Sequence, residues 1–370
     1  MTHPAIEENM MKATQKCLLP LLCGGVLALS SPWAQSAPPM DHNPLVAQAK
    51  ASCAPYADRK LSLVVPFKPG GGFDLMARAL EPLLAAHSGM QVSVSNVTGG
   101  TGLLAMRTVV NAKADKPVVG LIDLGASAAV VMEGKGGLAL SDLRGLGVIS
   151  ADQSVWVTKK AIDWQQTSGK PLLAATATNP FLRFGLPSHA MNFKARAVLG
   201  YQGTNDTWLA MLRGEVDAAS MSDQSAVRNL ATGVDARVSL ILSDQPDPKF
   251  PGVPHLAGPG GMVDIRTQGM GAADRQRLMA MGELATMLSE QARTLVASVK
   301  LNGEVLRCLR HATEAAIFDP ALAEVAKRQK FGLHPETAAY AQSKIEKIAQ
   351  SIKENDKDLR VIAAQWKESH

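Results

Sequence analysis

The sequence predicts an α/β protein of two lobes with a helical tail, and three observations carry that prediction. Short β-branched runs alternate with helical spacing from Leu61 onward, the alternation starts afresh near residue 150, and beyond a proline-rich connector at 247–254 it gives way to helices. Strands alternating with helices imply parallel sheets. The chain has 370 residues, 46% hydrophobic and 19% charged, which is enough for two buried cores and too apolar for disorder.

Composition removes several function classes. The net charge of +5 comes from 38 basic and 33 acidic residues that are interleaved without a basic run, and aromatics make up only 4% of the chain. Neither a nucleic-acid arm nor a platform for stacked bases is present, so no nucleic-acid partner is expected and the positive balance suits small anions. The eight histidines form no His-Glu-x-x-His and the four cysteines no Cys-x-x-Cys, so neither a metal site nor a cofactor is expected.

The amino-terminal segment, 1–36, reads as a signal peptide. Lys12 and Lys16 precede an apolar stretch at 17–29, and Ala34-Gln35-Ser36 supplies small residues for cleavage near Ser36. The stretch falls short of the ~20 apolar residues that span a bilayer, so export is expected rather than anchoring. Residues 37–47 read as a flexible lead-in, with order beginning near Cys53. Cleavage leaves Cys53 and Cys308 as the remaining thiols. In an oxidising compartment a disulfide between them is expected, the alternative being two buried free thiols.

The first ordered strand, 61–67, runs into Lys68-Pro69-Gly70-Gly71-Gly72. A helix follows, with Asp74 expected as its cap and Met76, Ala79, Leu80, Leu83 and Leu84 on one face; Pro82 should bend it. A second strand, 91–96, enters Thr98-Gly99-Gly100-Thr101-Gly102, after which helical spacing resumes to 110 and a third strand covers 118–122. Further strands are predicted at 147–150, 155–157, 172–176, 196–199, 217–221 and 238–243, with helices at 181–189, 206–213 and 224–231. The tail reads as helices at 272–292, 303–318, a short one from Pro320, and 335–353. Glycines that deliver a strand to a helix start expose backbone amides at the positive end of the helix dipole, which suits an anion; the alternative is that they only permit tight turns. The first loop, Lys68 to Asp74, lacks both the Gly-Lys-Ser/Thr ending of a Walker loop and the dinucleotide fingerprint.

Taken in order, these motifs resemble those of the Bug-type periplasmic receptors of tripartite tricarboxylate transport. The resemblance rests on 64–74, on the loop from Asn96 to Gly102, on Gly200-Tyr201-Gln202-Gly203-Thr204, on 212–217, on Phe250-Pro251-Gly252-Val253-Pro254 and on Phe318-Asp319-Pro320 to Gly332, and it covers roughly 58–355. It implies a type II periplasmic binding protein that closes over a small carboxylate and hands it to a membrane permease. Lobe 1 would take 48–153 and 244–370, and lobe 2 would take 154–243.

The resemblance assigns ligand amides to Gly70, Gly71 and Gly72, and places Thr98, Gly99, Gly100 and Thr101 in the second loop. Tyr201, Gly203 and Thr204 would face them from the other lobe, with Ser222 and Asp223 at a later strand end. Two departures bear on the ligand. Phe73 stands where the family usually has a small hydroxyl residue, and would stack on a ligand ring or enter the core. The second lobe's glycine/serine-rich turn is replaced by a segment holding Thr176 and Thr178, followed by Arg183, which would pair a second carboxylate or lie on the surface. Residues 268–292 look like an inserted helix, whose methionines would fill core or form a contact surface. The expected partners are a di-, tri- or aromatic carboxylate and the permease, with the receptor a monomer. A receptor feeding a sensor kinase is the alternative. An exported α/β hydrolase lacks a Ser-His-Asp set, so no enzyme activity is expected.

Overall fold

The computed structural model describes residues 42–368 apart from 114–115, 133, 135–136, 166–170, 177–178, 202 and 330; the predicted signal peptide and its cleavage site lie outside the described residues. The elements run α1 (His42–Cys53), β1 (Lys60–Val65), α2 (Gly72–Ser88), β2 (Gln91–Asn96), α3 (Leu103–Val110), β3 (Val118–Asp123), α4 (Leu124–Met132), β4 (Leu143–Asp152) and β5 (Ser154–Thr158). They continue with β6 (Leu172–Thr176), a π turn (Phe181–Gly185), α5 (Leu186–Ala190), β7 (Ala195–Val198), α6 (Thr204–Arg213), β8 (Ala218–Ser222), α7 (Asp223–Leu230) and β9 (Arg237–Ile241). The last part holds α8 (Met262–Arg266), α9 (Ala272–Ser289), β10 (Gln291–Ser298), α10 (Gly303–Ile317), α11 (Pro320–Gln329), α12 (Ala338–Glu354) and α13 (Asp356–Glu368).

Two five-stranded sheets result, ordered β2-β1-β3-β10-β4 and β7-β6-β8-β5-β9. In each, four strands run one way and one runs antiparallel to both its neighbours: β10 in the first sheet, β5 in the second. Gln153 alone separates β4 from β5, so the chain steps from one sheet to the other in a single residue.

Three expectations need correction. The lead-in at 37–47 was expected to be flexible, yet α1 begins at His42, because Leu45, Ala49 and Cys53 recur every four residues and bury one face. The tail was expected to be almost purely helical, yet it contains β10, where Thr294-Leu295-Val296 favours a strand between β3 and β4 of the first sheet. The helix expected at 272–292 ends at Ser289 for the same reason. Pro82 sits inside α2 without ending it.

One core lies on the face of the first sheet covered by α1, α2 and α10, with Leu61, Leu80, Leu309 and Ala312 fully buried. Cys53 and Cys308 are joined by a disulfide there, tying the last residue of α1 to α10 across a separation of 255 residues. A second cluster mixes residues of both sheets with α9: Ile122, Trp156, Phe184, Leu284 and Leu288 are buried together. Met281 is fully buried, and Met270, Met279 and Met287 pack against this cluster, so the methionines near α9 act as core filler. No helix among the described residues is long and apolar enough to cross a membrane.

Candidate functional site

Because β1 and β2 run parallel with Val65 opposite Asn96, both glycine loops leave the first sheet at the same edge. The first loop is stitched by Asp74. This carboxylate is buried, and its Oδ2 accepts from the Gly70 amide at 2.9 Å and from Arg78 Nε at 3.0 Å, while Oδ1 accepts from Asn96 Nδ2 at 3.0 Å. The Asn96 amide also donates to the Phe67 carbonyl at 2.9 Å, so one asparagine ties the end of β2 to the first loop. Hydrogen bonds from Arg78 first, then Gly70 and Asn96, outweigh burial and hold the Asp74 carboxyl down at about 2.

This geometry changes two assignments. Asp74 is not the cap residue of α2, a place taken by Gly71; it lies in the first turn and reaches back to Gly70. The Gly70 amide is therefore committed to Asp74 and is not offered to a ligand. Gly71 and Gly72 remain exposed at the start of α2, where first-turn amides have no intrahelical acceptor.

The second loop forms a short 3-10 turn, Gly100–Gly102, that flows into α3. Gly99, Gly100 and Gly102 have φ of +129°, +56° and +94°, a region that side chains disfavour, so glycine is required to shape this turn. A Cβ on Gly102 would lie 3.5 Å from Pro66, which measures how closely the two loops approach. Thr98, Gly99 and Gly100 are exposed, with Thr101 inside the turn.

Phe73 is half-buried, tilted against Phe67 at 4.7 Å, with the Arg293 guanidinium 5.4 Å from its ring centre. Arg293 lies on β10, opposite Asp123 of β3 and Ser150 of β4. Its Nη1 donates to Ser150 Oγ at 2.7 Å and to Asp152 Oδ2 at 2.8 Å, and its buried Nε has no acceptor among the described residues. Asp152 Oδ1 in turn accepts from Gln224 Nε2 of α7 at 2.7 Å, which links the first sheet's edge to the second's. Sequence reasoning missed Arg293, Asp152 and Gln224. The one available signal was a lone charge at the start of the β-branched run that forms β10.

The residues expected from the second lobe lie at the ends of β6, β7 and β8. Thr176 ends β6 half-buried, while Thr178 lies outside the described residues. Gly203 caps α6 and Thr204 is its first residue. Ser222 caps α7, its Oγ accepting from the Ser225 amide at 3.3 Å. Asp223 is buried, with Oδ1 accepting from the Gln224 amide at 2.8 Å and Oδ2 from Lys249 Nζ at 2.5 Å. Tyr201 packs against the core of the second sheet; burial and then the negative charge of Glu215, beyond the far end of α6, push its phenol up.

Arg183 is not a surface residue. It is 2% exposed, and its Nη1 donates to Ser154 Oγ at 2.5 Å while its carbonyl accepts from Trp156 Nε1 at 2.8 Å. Burial pulls its guanidinium down, and the charge of Asp123 works the other way. Around the two sheet edges, Asp74, Asp152 and Asp223 thus pair with Arg78, Arg293 and Lys249, and Asp123 acts on Arg183. With these carboxylates matched by cations, the edge does not repel an anion.

Protein BugT of Bordetella pertussis is 28% identical over 226 residues, spanning 56% of this chain and 68% of that protein. A TctC solute-binding protein from Polaromonas is similar in structure with a TM-score of 0.59 at 18% identity, covering 81% of this chain and 99% of its own. MatC from Rhodopseudomonas palustris, with bound malate, gives 0.52 at 19% identity over 80% and 99% of the two chains. A second protein of that organism, with adipate, gives 0.51 at 16% identity over 80% and 96%. No family model matches the chain. The fold is that of a two-lobed periplasmic binding protein.

Proposed function

We infer that this chain, a solute-binding receptor of the Bug/TctC kind by sequence and fold, captures a small organic carboxylate in the periplasm and delivers it to a tripartite tricarboxylate-type permease. One observation carries the reading: two adjoining glycine loops hold exposed backbone at helix starts while the nearest carboxylate, Asp74, is fully engaged in bracing them. In this reading Gly71, Gly72, Gly99 and Gly100 supply the amides for one carboxylate. The lobes, taken as 48–153 with 244–370 and as 154–243, close over it by a hinge at the β4–β5 step. Arg293, lying against Phe73 and paired through Nη1 with Asp152, offers its Nε, which has no acceptor among the described residues, to a second carboxylate. The malate and adipate of the two structural neighbours support a dicarboxylate as the first class to test.

A thermal-shift screen of dicarboxylates, tricarboxylates, aromatic carboxylates and acidic amino acids tests the reading. A ligand at 100 times its dissociation constant adds about 2.7 kcal/mol and moves the midpoint by several degrees. Arg293→Met is expected to weaken a dicarboxylate more than the matching monocarboxylate, and X-ray scattering should show a smaller radius of gyration at saturation. Failure of every carboxylate to shift the midpoint would overturn the proposal. Co-purification with a permease, rather than with a sensor kinase domain, separates transport from sensing.

A further inference from the structure

Away from the sheet edges, three side chains from distant parts of the chain converge. His42 opens α1, His87 lies in the last turn of α2, and Asp319 precedes α11. His87 Nε2 is 2.8 Å and His42 Nε2 is 3.7 Å from Asp319 Oδ2, and one ligand atom from each of the three lies within 4.8 Å of the others. We propose that His42, His87 and Asp319 bind a zinc-class divalent cation that pins the start of α1.

The donor set and its spacing support this. Zinc bonds imidazole nitrogen and carboxylate oxygen at about 2.0–2.2 Å, so tetrahedral ligand atoms lie roughly 3.3 Å apart. The two distances to Asp319 bracket that value, so a bound ion requires His87 to open from its 2.8 Å contact and His42 to close from 3.7 Å, each by about 0.5 Å. Two imidazoles with one carboxylate select zinc, cobalt or nickel over magnesium or calcium, which prefer oxygen alone. The carboxylate is already oriented, because Asp319 Oδ1 accepts from the Ala321 amide at 2.8 Å and leaves Oδ2 to the histidines. The three side chains are 22%, 10% and 14% exposed, so solvent reaches the site and a water can complete the coordination. His42 Nε2 also lies 2.9 Å from the Ala315 carbonyl, a contact it exchanges for the metal. Sequence gave no hint of the site, since 45 and 232 residues separate its members and none belongs to a metal motif.

The placement suggests what the ion does. The disulfide fastens α1 at its last residue, Cys53, and the cation fastens it at its first. Both ends of one helix are then tied to the face of the first sheet that carries α2 and α10.

Purified protein without a histidine tag, stripped with EDTA, is titrated with cobalt and with zinc. One equivalent of cobalt should give the visible absorption of a tetrahedral site, zinc should displace it, and zinc should raise the unfolding midpoint. His42→Ala and Asp319→Asn should each weaken zinc about 100-fold or more and abolish the midpoint shift; asparagine keeps an oxygen for the Ala321 amide, and circular dichroism checks the fold. Absence of tetrahedral cobalt absorption in the folded wild type, or unchanged zinc affinity in both variants, would show that the three residues form a hydrogen-bonded cluster and no metal site.

Discussion

The two sheet edges that the sequence marked as ligand-facing are built differently. On the first sheet the polar groups that face outward are backbone: exposed glycines, held in shape by buried side chains such as Asp74. On the second sheet the polar and charged side chains near the strand ends are spent internally: Asp223 on Lys249 and the Gln224 amide, Arg183 on Ser154, Ser222 on the start of α7. The contrast teaches that a residue type suited to binding a carboxylate need not be available for it. First-turn amides of a helix have no intrahelical acceptor, whereas a buried guanidinium without a partner would be costly.

Four experiments test that contrast. The largest effect is expected from Cys53→Ala with Cys308→Ala, which releases a loop of 255 residues behind the first sheet and costs about 5 kcal/mol as an upper bound in the chain-entropy model. Calorimetric unfolding should register the loss while ligand affinity at low temperature stays within a few-fold, because the bridge touches neither loop.

Asp74→Ala comes next, at about 2–3 kcal/mol, since it strands the Gly70 amide, Arg78 and Asn96 together. Unlike the cysteine pair it should also weaken ligand at least about tenfold. The Asp74 carboxyl sits at about 2 in the fold against 3.8 ordinarily, so its contribution is present above pH 4 and is lost as pH falls through that interval. Acid titration of Asp74→Asn should therefore show a flatter loss of stability between pH 4 and 2 than the wild type; identical acid limbs would remove Asp74 from its bracing role.

The glycines separate backbone strain from ligand approach. Gly100 has φ of +56°, so Gly100→Val both strains the turn and crowds the loop, whereas Gly71 has an ordinary φ of −80° and open space around its Cβ position apart from the Lys68 carbonyl at 3.5 Å. Calorimetric titration should find affinity reduced by about 100-fold in the first and about tenfold in the second, with the larger loss of stability in the first, since valine at the Gly71 cap position costs about 1 kcal/mol or less. Normal binding by folded Gly71→Val would dismiss the first loop as a ligand cradle. The smallest effect on affinity is expected from Arg183→Met, which lowers stability by about 1–3 kcal/mol through Ser154 and Asp123 but leaves ligand affinity within about threefold. If it abolished binding in the folded protein, the second edge would hold the ligand and the contrast would be reversed.

Much of the architecture was legible in the sequence, and the reason is local. Strand periodicity, β-branched content and glycine punctuation are short-range properties, so β1, β2, β3 and β6 emerge within two residues of their predicted bounds. Both glycine loops were visible on the same grounds. Strand β10 was not, because its insertion into the first sheet depends on β3 and β4, more than 130 residues earlier.

The sequence alone specified two α/β units, the glycine loops that interrupt them and a pair of cysteines able to bridge. Tertiary structure alone decided that Asp74 takes the Gly70 amide, that Arg183 is buried and Arg293 lies against Phe73, and that His42, His87 and Asp319 meet. Each of those outcomes depends on partners from separate segments. Desolvation forces a buried charge to find a partner, but which partner it finds is set by how the sheets and helices are stacked.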